Sequence, residues 1–545
     1  MKRKREAAAA ADEEITVKST AAAAAAADGE IKAATNVRSS PGVVCNDDVI
    51  RNIFARLPAR DAIASMVLST HHRSLITSPD FRRLHCLHGE PLPRPHIAYV
   101  ATAQIVTHRD TYGRVKSLED WAEKRAGRGG TGAFACVSRY NAESDRSSMY
   151  RGFHVAGAGR RHGINPMRAL VGRKYIDHKY IGTCNGVILF ADEADGLLIN
   201  PAVADGEREF DVVPSTSTPC EEEEEDTEYH ISGFGYGPRT RSYKLLVCKH
   251  KRIQNYETHV PGRPNVRIST YGRGPMYSWR ADALVVYTLG STAPEEKPRT
   301  VLAELDNDTI RRRSIYMDGT VYLINADKAT VLAFDVDDET ITSIDLPVER
   351  VEGGKPGSLI KSELMEMYGH VCVATVQDSD EGHIGVWLLT ADRRWERRCV
   401  FHNDWCWPAT VAGVWDCGGV LLIAVQAYGK SHIFLYDDAT EKAYRLNPPP
   451  NASPEKMDLY HIFWGYKTTL VSPGSIAGEL SQDEQRRRAL AADVLAVVKP
   501  VNEMYKRKGQ KGALHIVCFM EFLVSVMRRL PSELHNGIVD MDEFY

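Results

Sequence analysis

The chain has 545 residues, which is too long for one compact core and predicts two or more domains. Its apolar fraction of 43% is ordinary for a globular protein, and its formal net charge of −4 disfavours a dedicated nucleic-acid binder, which usually carries a basic domain. The 11 cysteines show no regular spacing and indicate reduced thiols, so we expect a cytoplasmic or nuclear protein. No apolar run reaches the roughly 18 residues of a membrane span.

Four regions follow one another along the chain, and together they predict an α + β multidomain protein. Residues 1–42 are alanine-rich and of low complexity, which predicts a disordered leader. Residues 43–90 have helical periodicity, and 95–475 consist of short strand-like runs separated by turn residues. Such runs predict an all-β sandwich, barrel or propeller. Residues 480–545 predict a helical C-terminal extension, which we expect to pack on the β domain.

The first helical region contains a helix that is interrupted by its own proline, in IFARLPARDAIASMV at 53–67. Pro58 cannot donate a backbone hydrogen bond and disfavours a helical Leu57, so the first helix should end there. A second helix should begin at once, since proline is tolerated in a first helical turn. We expect it to carry Ile63 and Val67 on its apolar side. About forty residues cannot bury a large core, so this block should expose apolar surface that another chain or domain covers.

The stretch from Asp47 to Phe81 resembles an F-box, although any small helical bundle remains an alternative. The matching residues are Asp47, Asp48, Val49, Ile50, Ile53, Phe54, Arg56, Leu57, Pro58, Leu68, Ser69, Arg73, Ser74, Leu75, Ile76, Pro79, Asp80 and Phe81. The resemblance implies docking onto a Skp-type adaptor and, through it, onto a cullin–RING ubiquitin ligase. By this analogy the docking residues are Ile50, Ile53, Leu57, Pro58, Ile63 and Leu68.

The chain departs from the F-box pattern in two places. Cys45 and Asn46 stand where the family has Leu-Pro, and His72 stands where it commonly has tryptophan. The first departure removes an apolar contact and predicts weaker adaptor binding. The second replaces a large core residue and predicts a looser bundle.

Two motifs in the β region carry a second resemblance. CNGVILFADEADGLLINPA at 184–202 and GFGYGPRTRSYKLLV at 233–247 resemble segments of plant F-box-associated domains. Further segments follow in the family's order, so that the resemblance covers about 45–410 and implies an incomplete or full β-propeller. The alternate glycines of the second motif predict a turn and close strand packing, because no helix or dinucleotide fingerprint follows them.

Long insertions between the strand-like runs are the candidate target-binding loops, since rigid blades hold variable loops in place. They lie at 215–228, 251–280, 351–362 and 448–459. The acidic run at 221–226 predicts a solvated loop, with an acidic docking surface as the alternative. The substrate-binding residues themselves stay unknown at this stage.

Catalytic and metal motifs were sought as alternatives. Cys399, His402 and Cys406 have spacings that could bind zinc, but the tryptophans around them favour packed strand residues. His85 and His88 are interpreted as surface histidines. We therefore expect no catalytic residue, no metal and no cofactor, and neither a nucleic-acid nor a membrane partner.

The leading hypothesis is a substrate receptor that docks an adaptor through the helical block and a target protein through the β domain. The alternatives are a propeller enzyme and a scaffold that acts outside a ubiquitin ligase. An enzyme would need converging carboxylates, whereas Asp335, Asp337 and Asp338 fall in a loop without a discernible pair.

Overall fold

The computed structural model describes only part of the chain. The described residues are 47–105, 148–158, 166–172, 175, 178–203, 206–212, 227–254, 277–290, 298–303, 305, 310–347, 362–367, 369–376, 383–402, 409–427, 430–452, 454, 460–478 and 503–535. The predicted leader, the acidic run at 221–226, Cys45, Asn46 and Cys406 therefore lie outside them. Within the described part, no helix is long and apolar enough to cross a membrane. The residues from Ile50 onward form one compact unit.

Four short helices open the described chain. They are α1 (Asp47–Ala55), α2 (Ala59–Ser65), α3 (Thr70–Thr77) and α4 (Pro79–His88). The helix α1 ends two residues before the predicted position, because Arg56 and Leu57 make tighter bonds to the carbonyls of Ile53 and Phe54. Pro58 is the cap residue of α2, and its carbonyl accepts from the backbone N–H groups of Asp61 and Ala62. We call residues 50–88 the helical module.

Twenty-four strands in the described residues form six four-stranded antiparallel sheets. The first three sheets contain β1 (Ile97–Ile105), β2 (Ser148–Ala156), β3 (Arg168–Gly172), with β24 (Tyr460–Ile462); β4 (Lys179–Cys184), β5 (Val187–Asp192), β6 (Asp195–Ile199), β7 (Glu207–Asp211); and β8 (Thr227–Gly237), β9 (Ser242–Gln254), β10 (Tyr277–Leu289), β11 (Arg299–Ala303). The other three contain β12 (Ile310–Met317), β13 (Thr320–Asn325), β14 (Thr330–Asp335), β15 (Thr340–Asp345); β16 (Glu363–Met367), β17 (His370–Val376), β18 (His383–Leu389), β19 (Trp395–His402); and β20 (Ala409–Asp416), β21 (Val420–Ala427), β22 (Lys430–Asp437), β23 (Lys442–Leu446). The predicted all-β architecture is thus a six-bladed propeller.

The ring is closed by a strand from the far end of the β region. The first sheet takes β24 as its innermost strand, where Tyr99 pairs with Ile462 and Ala101 with Tyr460. Burial is greatest in the middle strands of the sheets: all of β21 is buried, whereas the innermost strand β20 is only partly buried and the first four residues of the outermost strand β23 are exposed. Middle strands are covered on both sides by neighbouring sheets, which is why they appear as continuous apolar runs in the sequence.

The propeller has two faces with different connections. The long-loop face is where the innermost strands begin, at Lys179, Thr227, Ile310, Glu363, Ala409 and Tyr460. The hairpin face is where they end, at Cys184, Gly237, Met317, Met367, Asp416 and Ile462. Each innermost strand is joined on the hairpin face to the next strand by a short turn, with the exception of β24, which continues into 463–478.

Residues 463–478, which we call the strap, run along the hairpin face and include the helix α5 (Pro473–Ala477). Phe463 and Tyr466 stack near Phe153 of the first sheet, and Ile476 lies against Gly290 of the third. The helical module packs on this strap, because Leu470 is buried in the module's own core.

The C-terminal region is helical at 503–512 and in α6 (Leu514–His535). Phe519, Met520 and Leu523 of α6 belong to one buried cluster with residues of the first and sixth sheets. Glu521 accepts from the backbone N–H of Gly157, and Arg528 donates to the carbonyl of Gly157 at 2.5 Å. The described part of the extension therefore packs on the propeller, as expected, whereas 480–502 and 536–545 lie outside the described residues.

Candidate functional site

The helical module has a small core of its own. Ala55, Ala59 and Ala62 are fully buried together with Ile76 and Phe81. Small side chains at these positions let the short helices approach closely, and Leu470 of the strap fills the remaining side. The module is therefore covered on one side by the propeller and open on the other.

The six residues predicted to dock an adaptor divide into two groups. Ile53 is 56% exposed and Leu68 is 65% exposed, and Pro58 is exposed as well. The other three are half-buried and pack against the module core: Ile50, Leu57 and Ile63. The exposed group would touch a partner directly, while the half-buried group shapes the helices that present it.

Val67 was assigned to the buried side of the second helix, and this prediction is wrong. The helix α2 ends at Ser65, and the backbone turns through Val67 and Leu68, which leaves Val67 82% exposed. Val67, Leu68 and Ile53 are thus large apolar side chains that are exposed to solvent. We call Ile53, Pro58, Val67 and Leu68 the apolar face.

Two histidines stabilise the module. His72, in place of the family's tryptophan, packs edge-on against Phe54 with ring centroids 5.2 Å apart. His85 was interpreted as a surface residue, but it is 1% exposed and its Nε2 lies 2.9 Å from the carbonyl oxygen of Leu57. Burial lowers the pKa of His85, so its ring is neutral and donates a hydrogen bond to the carbonyl of Leu57. Because His85 lies on α4 and Leu57 lies between α1 and α2, this bond attaches that turn to α4.

The CNG and NPA segments hold the strap at the end of the second sheet. Asn200 is fully buried, and its Nδ2 donates to the carbonyls of Thr469 (3.1 Å) and Val471 (2.7 Å). The hydroxyl of Thr469 donates to the carbonyl of Asn185 at 2.6 Å. Gly186 has φ 75°, and a Cβ there would lie 2.5 Å from the carbonyl oxygen of Lys467, so the position requires glycine.

These contacts make the first motif the joint between the propeller and the helical module. The ammonium group of Lys467 in the strap donates to the carbonyl of Cys86 in α4 at 3.0 Å. Ala202, next to the NPA proline, packs against the module core. The motif therefore positions the strap, and the strap positions the module.

The GFGYGP segment forms the seam between the third and fourth sheets. A Cβ on Gly235 would lie 2.5 Å from Val321, so the alternate glycines allow close strand packing as predicted. Asp337 accepts from the backbone of Arg239 and from the backbone and hydroxyl of Thr240. Burial alone would raise the pKa of Asp337, but these hydrogen bonds lower it. Asp337 thus has a structural partner, which leaves it unsuited to general acid catalysis.

The four predicted insertions start and end on the long-loop face, opposite the helical module. They connect β7 to β8, β9 to β10, β15 to β16, and β23 to β24. Strand β9 extends to Gln254 and β10 begins at Tyr277, so the ends of the predicted 251–280 loop belong to strands. Most of the remaining loop residues lie outside the described ranges.

The propeller axis at the long-loop face carries a basic cluster that the sequence reasoning missed. Arg311, Arg312 and Arg313 are consecutive residues at the start of the innermost strand β12. Arg312 lies 2.8 Å from Nδ1 of His230, and Arg313 lies 2.9 Å from Nδ1 of His461. We call the three arginines the axial arginine cluster. In the sequence, these three residues look like part of an ordinary charged strand. Their position at the axis becomes visible only when the six sheets close into a ring with β12 as an innermost strand.

Both histidines beside the cluster are neutral acceptors at neutral pH. Burial, followed by the charges of His250, Arg312 and Lys179, lowers the pKa of His230 to about 4. Burial, followed by Arg313 and Arg151, lowers the pKa of His461 well below its usual range. The neutral rings accept from the guanidinium groups without adding charge.

This environment predicts a pH dependence of stability. An unfolded histidine binds a proton near pH 6.5, whereas His230 stays neutral to about pH 4, so the unfolded state binds more protons in between. Stability should therefore fall as the pH drops from about 6.5 to 4, with His230 contributing about 1–2 kcal/mol. Thermal unfolding at pH 7.5, 6 and 5 should show a shallower decline for His230→Gln, which keeps an acceptor for Arg312. Equal slopes for variant and wild type would contradict the assignment.

A cavity of about 50 Å³, which has room for a few water molecules, lies between the innermost strands beside Arg313. Its walls include Tyr180, Arg313, Glu363, His461 and Trp464. Pockets that enclose small-molecule substrates are typically several hundred Å³ in volume. The volume of this cavity is smaller than that of such a pocket.

The structure offers no support for the zinc alternative within the residues it describes. Among those residues, no group of three or more potential metal ligands comes together. Cys399 is buried in the core of the fifth and sixth sheets, and burial raises the pKa of its thiol to about 12. The thiol of Cys399 is therefore protonated and packs among the apolar residues of that core.

Comparison with known proteins identifies the β region. The sequence model of the F-box associated beta propeller domain matches residues 170–448, which is just over half of the chain. No curated protein sequence matches significantly.

Among solved structures, a putative 6-phosphogluconolactonase from Bacteroides fragilis NCTC 9343 is 12% identical, with a TM-score of 0.30, over 65% of this chain and 94% of that one. A nidogen/laminin complex is 9% identical, with a TM-score of 0.30, over 67% of this chain and 97% of that one. A putative 6-phosphogluconolactonase from Bacteroides uniformis ATCC 8492 is 10% identical, with a TM-score of 0.31, over 69% and 98%. These low scores carry no functional conclusion.

Proposed function

The chain belongs to the F-box-associated β-propeller family, and on that premise we propose that it is the substrate-recognition subunit of a Skp–cullin–F-box ubiquitin ligase. In this proposal the helical module is an F-box that docks a Skp-type adaptor, and the propeller binds a target protein. The complex would act in the cytoplasm, the nucleus or both. Partners would transfer the ubiquitin, and this chain would contribute proximity and orientation rather than catalytic residues.

The apolar face is the observation that carries the proposal. A module of this size normally buries its large apolar side chains, yet Ile53, Val67 and Leu68 remain mostly exposed. The propeller covers the opposite side of the module through Leu470. An adaptor that covered the apolar face would complete the burial of the module, and this burial would favour binding.

The positions of the helical module and of the long loops support separate binding sites for the adaptor and for the target protein. The module packs on the hairpin face through the strap, whereas the long connections belong to the long-loop face. A target bound on the long-loop face would not compete with an adaptor for surface. The joint formed by Asn200 and Thr469 would keep the two sites in a fixed relation.

Substitution of the apolar face should separate adaptor binding from folding. We expect Ile53→Asp/Leu68→Asp to abolish capture of a purified Skp-type adaptor, because two carboxylates would be buried in an apolar interface. Both side chains are exposed in the free chain, so thermal unfolding should stay within a few degrees of wild type. The measurement is a pull-down of the adaptor by the full chain.

Leu87→Asp provides the matched control. Leu87 lies on α4 in the same module and is 72% exposed, but it is outside the apolar face. This variant should bind the adaptor like wild type. Failure of the wild-type chain to bind any Skp-type adaptor would refute the proposed function and favour a free-standing binding protein.

A further inference from the structure

The axial arginine cluster is held out of the regular strand ladder. In the pairing of β12 with β13, Ile310 lies opposite Asn325 and Ser314 lies opposite Leu323. Three residues of β12 therefore face one residue of β13, which makes a bulge at the end of the innermost strand. Bulges of this kind redirect side chains and are common beside functional sites.

The three guanidinium groups spread towards three other sheets around the axis. Arg311 donates to the carbonyl of Ser362 at 2.8 Å and lies 3.3 Å from Glu363, both in the fifth sheet region. Arg312 contacts His230 of the third sheet, and Arg313 contacts His461 of the first. The three side chains therefore contact residues of three different sheets, and Arg313 also lines the axial cavity.

The positive charge of the cluster is only partly balanced. Glu363 is shared, because its second carboxylate oxygen lies 3.8 Å from Arg313, beyond direct hydrogen-bonding distance. Arg312 and Arg313 otherwise contact neutral histidines within the part of the chain that the structure describes. The side chain of Arg313 is 42% exposed, and exposed Lys179 adds a further positive charge nearby. Within the described residues, Arg313 therefore keeps an accessible guanidinium group whose nearest carboxylate oxygen is 3.8 Å away, with Arg312 beside it on the same strand.

We propose that the axial arginine cluster binds an anionic group, a carboxylate or a phosphate, on a peptide segment of the target protein. The planar guanidinium group of arginine can donate two parallel hydrogen bonds to a carboxylate or a phosphate, which the ammonium group of lysine cannot do. The cluster lies on the long-loop face, which leaves the helical module free for the adaptor. The cavity that Arg313 lines is too small for a whole peptide, so only the anionic group of the segment would enter it. This inference rests on the proposed function, since it specifies the chemistry of the target.

The test measures fluorescence anisotropy of labelled peptides with the purified full chain and without adaptor. The probes are an octaglutamate with both ends capped, the same peptide with a free terminal carboxylate, and a capped Gly-Ser octapeptide with one phosphoserine. A capped Gly-Ser octapeptide without phosphate is the neutral reference. The tightest of the three acidic probes distinguishes an internal carboxylate, a terminal carboxylate and a phosphate as the source of the anion.

Arg312→Gln/Arg313→Gln should weaken binding of the acidic probes at least tenfold, whereas Arg394→Gln/Arg397→Gln should leave it unchanged. The control pair removes the same charge from exposed positions on the fifth sheet, away from the axis. Thermal unfolding and the adaptor pull-down verify that both variants are intact. If the wild type captures the adaptor but binds no acidic probe, or if both double variants bind equally, the inference is overturned while the proposed function stands.

Discussion

Asn200→Ala is expected to lower the free energy of unfolding by about 2–4 kcal/mol and to loosen the helical module. The side chain donates to the carbonyls of Thr469 and Val471 and accepts from the backbone N–H of Ala202. Alanine would leave these buried groups without partners in a site that excludes water. The cost of unmet buried groups exceeds the net value of the hydrogen bonds themselves.

In the Asn200→Ala variant, the strap and the helical module should open before the whole propeller unfolds. The strap carries Leu470 into the core of the module, so a strap that detaches also uncovers that core. Hydrogen exchange should therefore accelerate at strap amides and in α1–α4 of the variant, while the fourth and fifth sheets remain protected. Melting curves and exchange rates at single-peptide resolution provide the two measurements.

Asn325→Ala is the matched control for this experiment. Asn325 is also buried, and its Oδ1 accepts from the backbone N–H of Lys328 in the turn between β13 and β14. That turn lies on the long-loop face, far along the strands from the strap. The control should lose stability without faster exchange in the module. Equal acceleration in both variants would contradict the assignment of the joint to Asn200.

Much of the β architecture could be predicted from the sequence, because the middle strands of the sheets are short apolar runs between turn residues. The blade number could not be predicted in this way. Ring closure depends on β24, a strand of 3 residues that pairs with β1 across most of the chain. Such a short strand has no periodicity of its own, and its place is set by the partner it completes.

The environments of the candidate site residues also depend on distant parts of the chain and could not be predicted from the sequence. Helical spacing placed Ile53 on the apolar side of the first helix, and the F-box resemblance alone pointed to Leu68. Neither could tell which apolar residues face water, because Leu470 covers the module from a distant part of the chain. His85 was misassigned for a related reason, since its partner is the carbonyl of Leu57 in another turn. The axial arginine cluster reads as a solvated charged run until the ring places β12 at the axis.

The family motifs gain a physical meaning from these contacts. CNG and NPA are strand-end turns of the second sheet, but their buried groups bind the strap rather than stabilise the sheet alone. The second motif closes the seam between the third and fourth sheets, where buried Lys244 pairs with Glu339 at 2.7 Å. Both motifs therefore encode how parts of the fold are joined.

Leu523→Ala in α6 is expected to cost about 2–5 kcal/mol of the free energy of unfolding, since it opens a cavity in a packed core. Leu523 is fully buried in the cluster that joins α6 to the first and sixth sheets. These are the two sheets that meet where the ring closes, and the short strand β24 contributes few backbone bonds there. The helix thus adds apolar burial at the weakest position of the ring.

Leu514→Ala removes the same atoms from the same helix at a position that is 43% exposed. It should change stability by less than about 0.5 kcal/mol, because alanine has the higher helix propensity and little burial is lost. Denaturant unfolding of both variants, followed by tryptophan fluorescence, measures the difference. If the two substitutions cost the same, α6 is an appendage of the propeller. A large cost for Leu523→Ala alone shows that the C-terminal helix contributes to the stability of the closed ring.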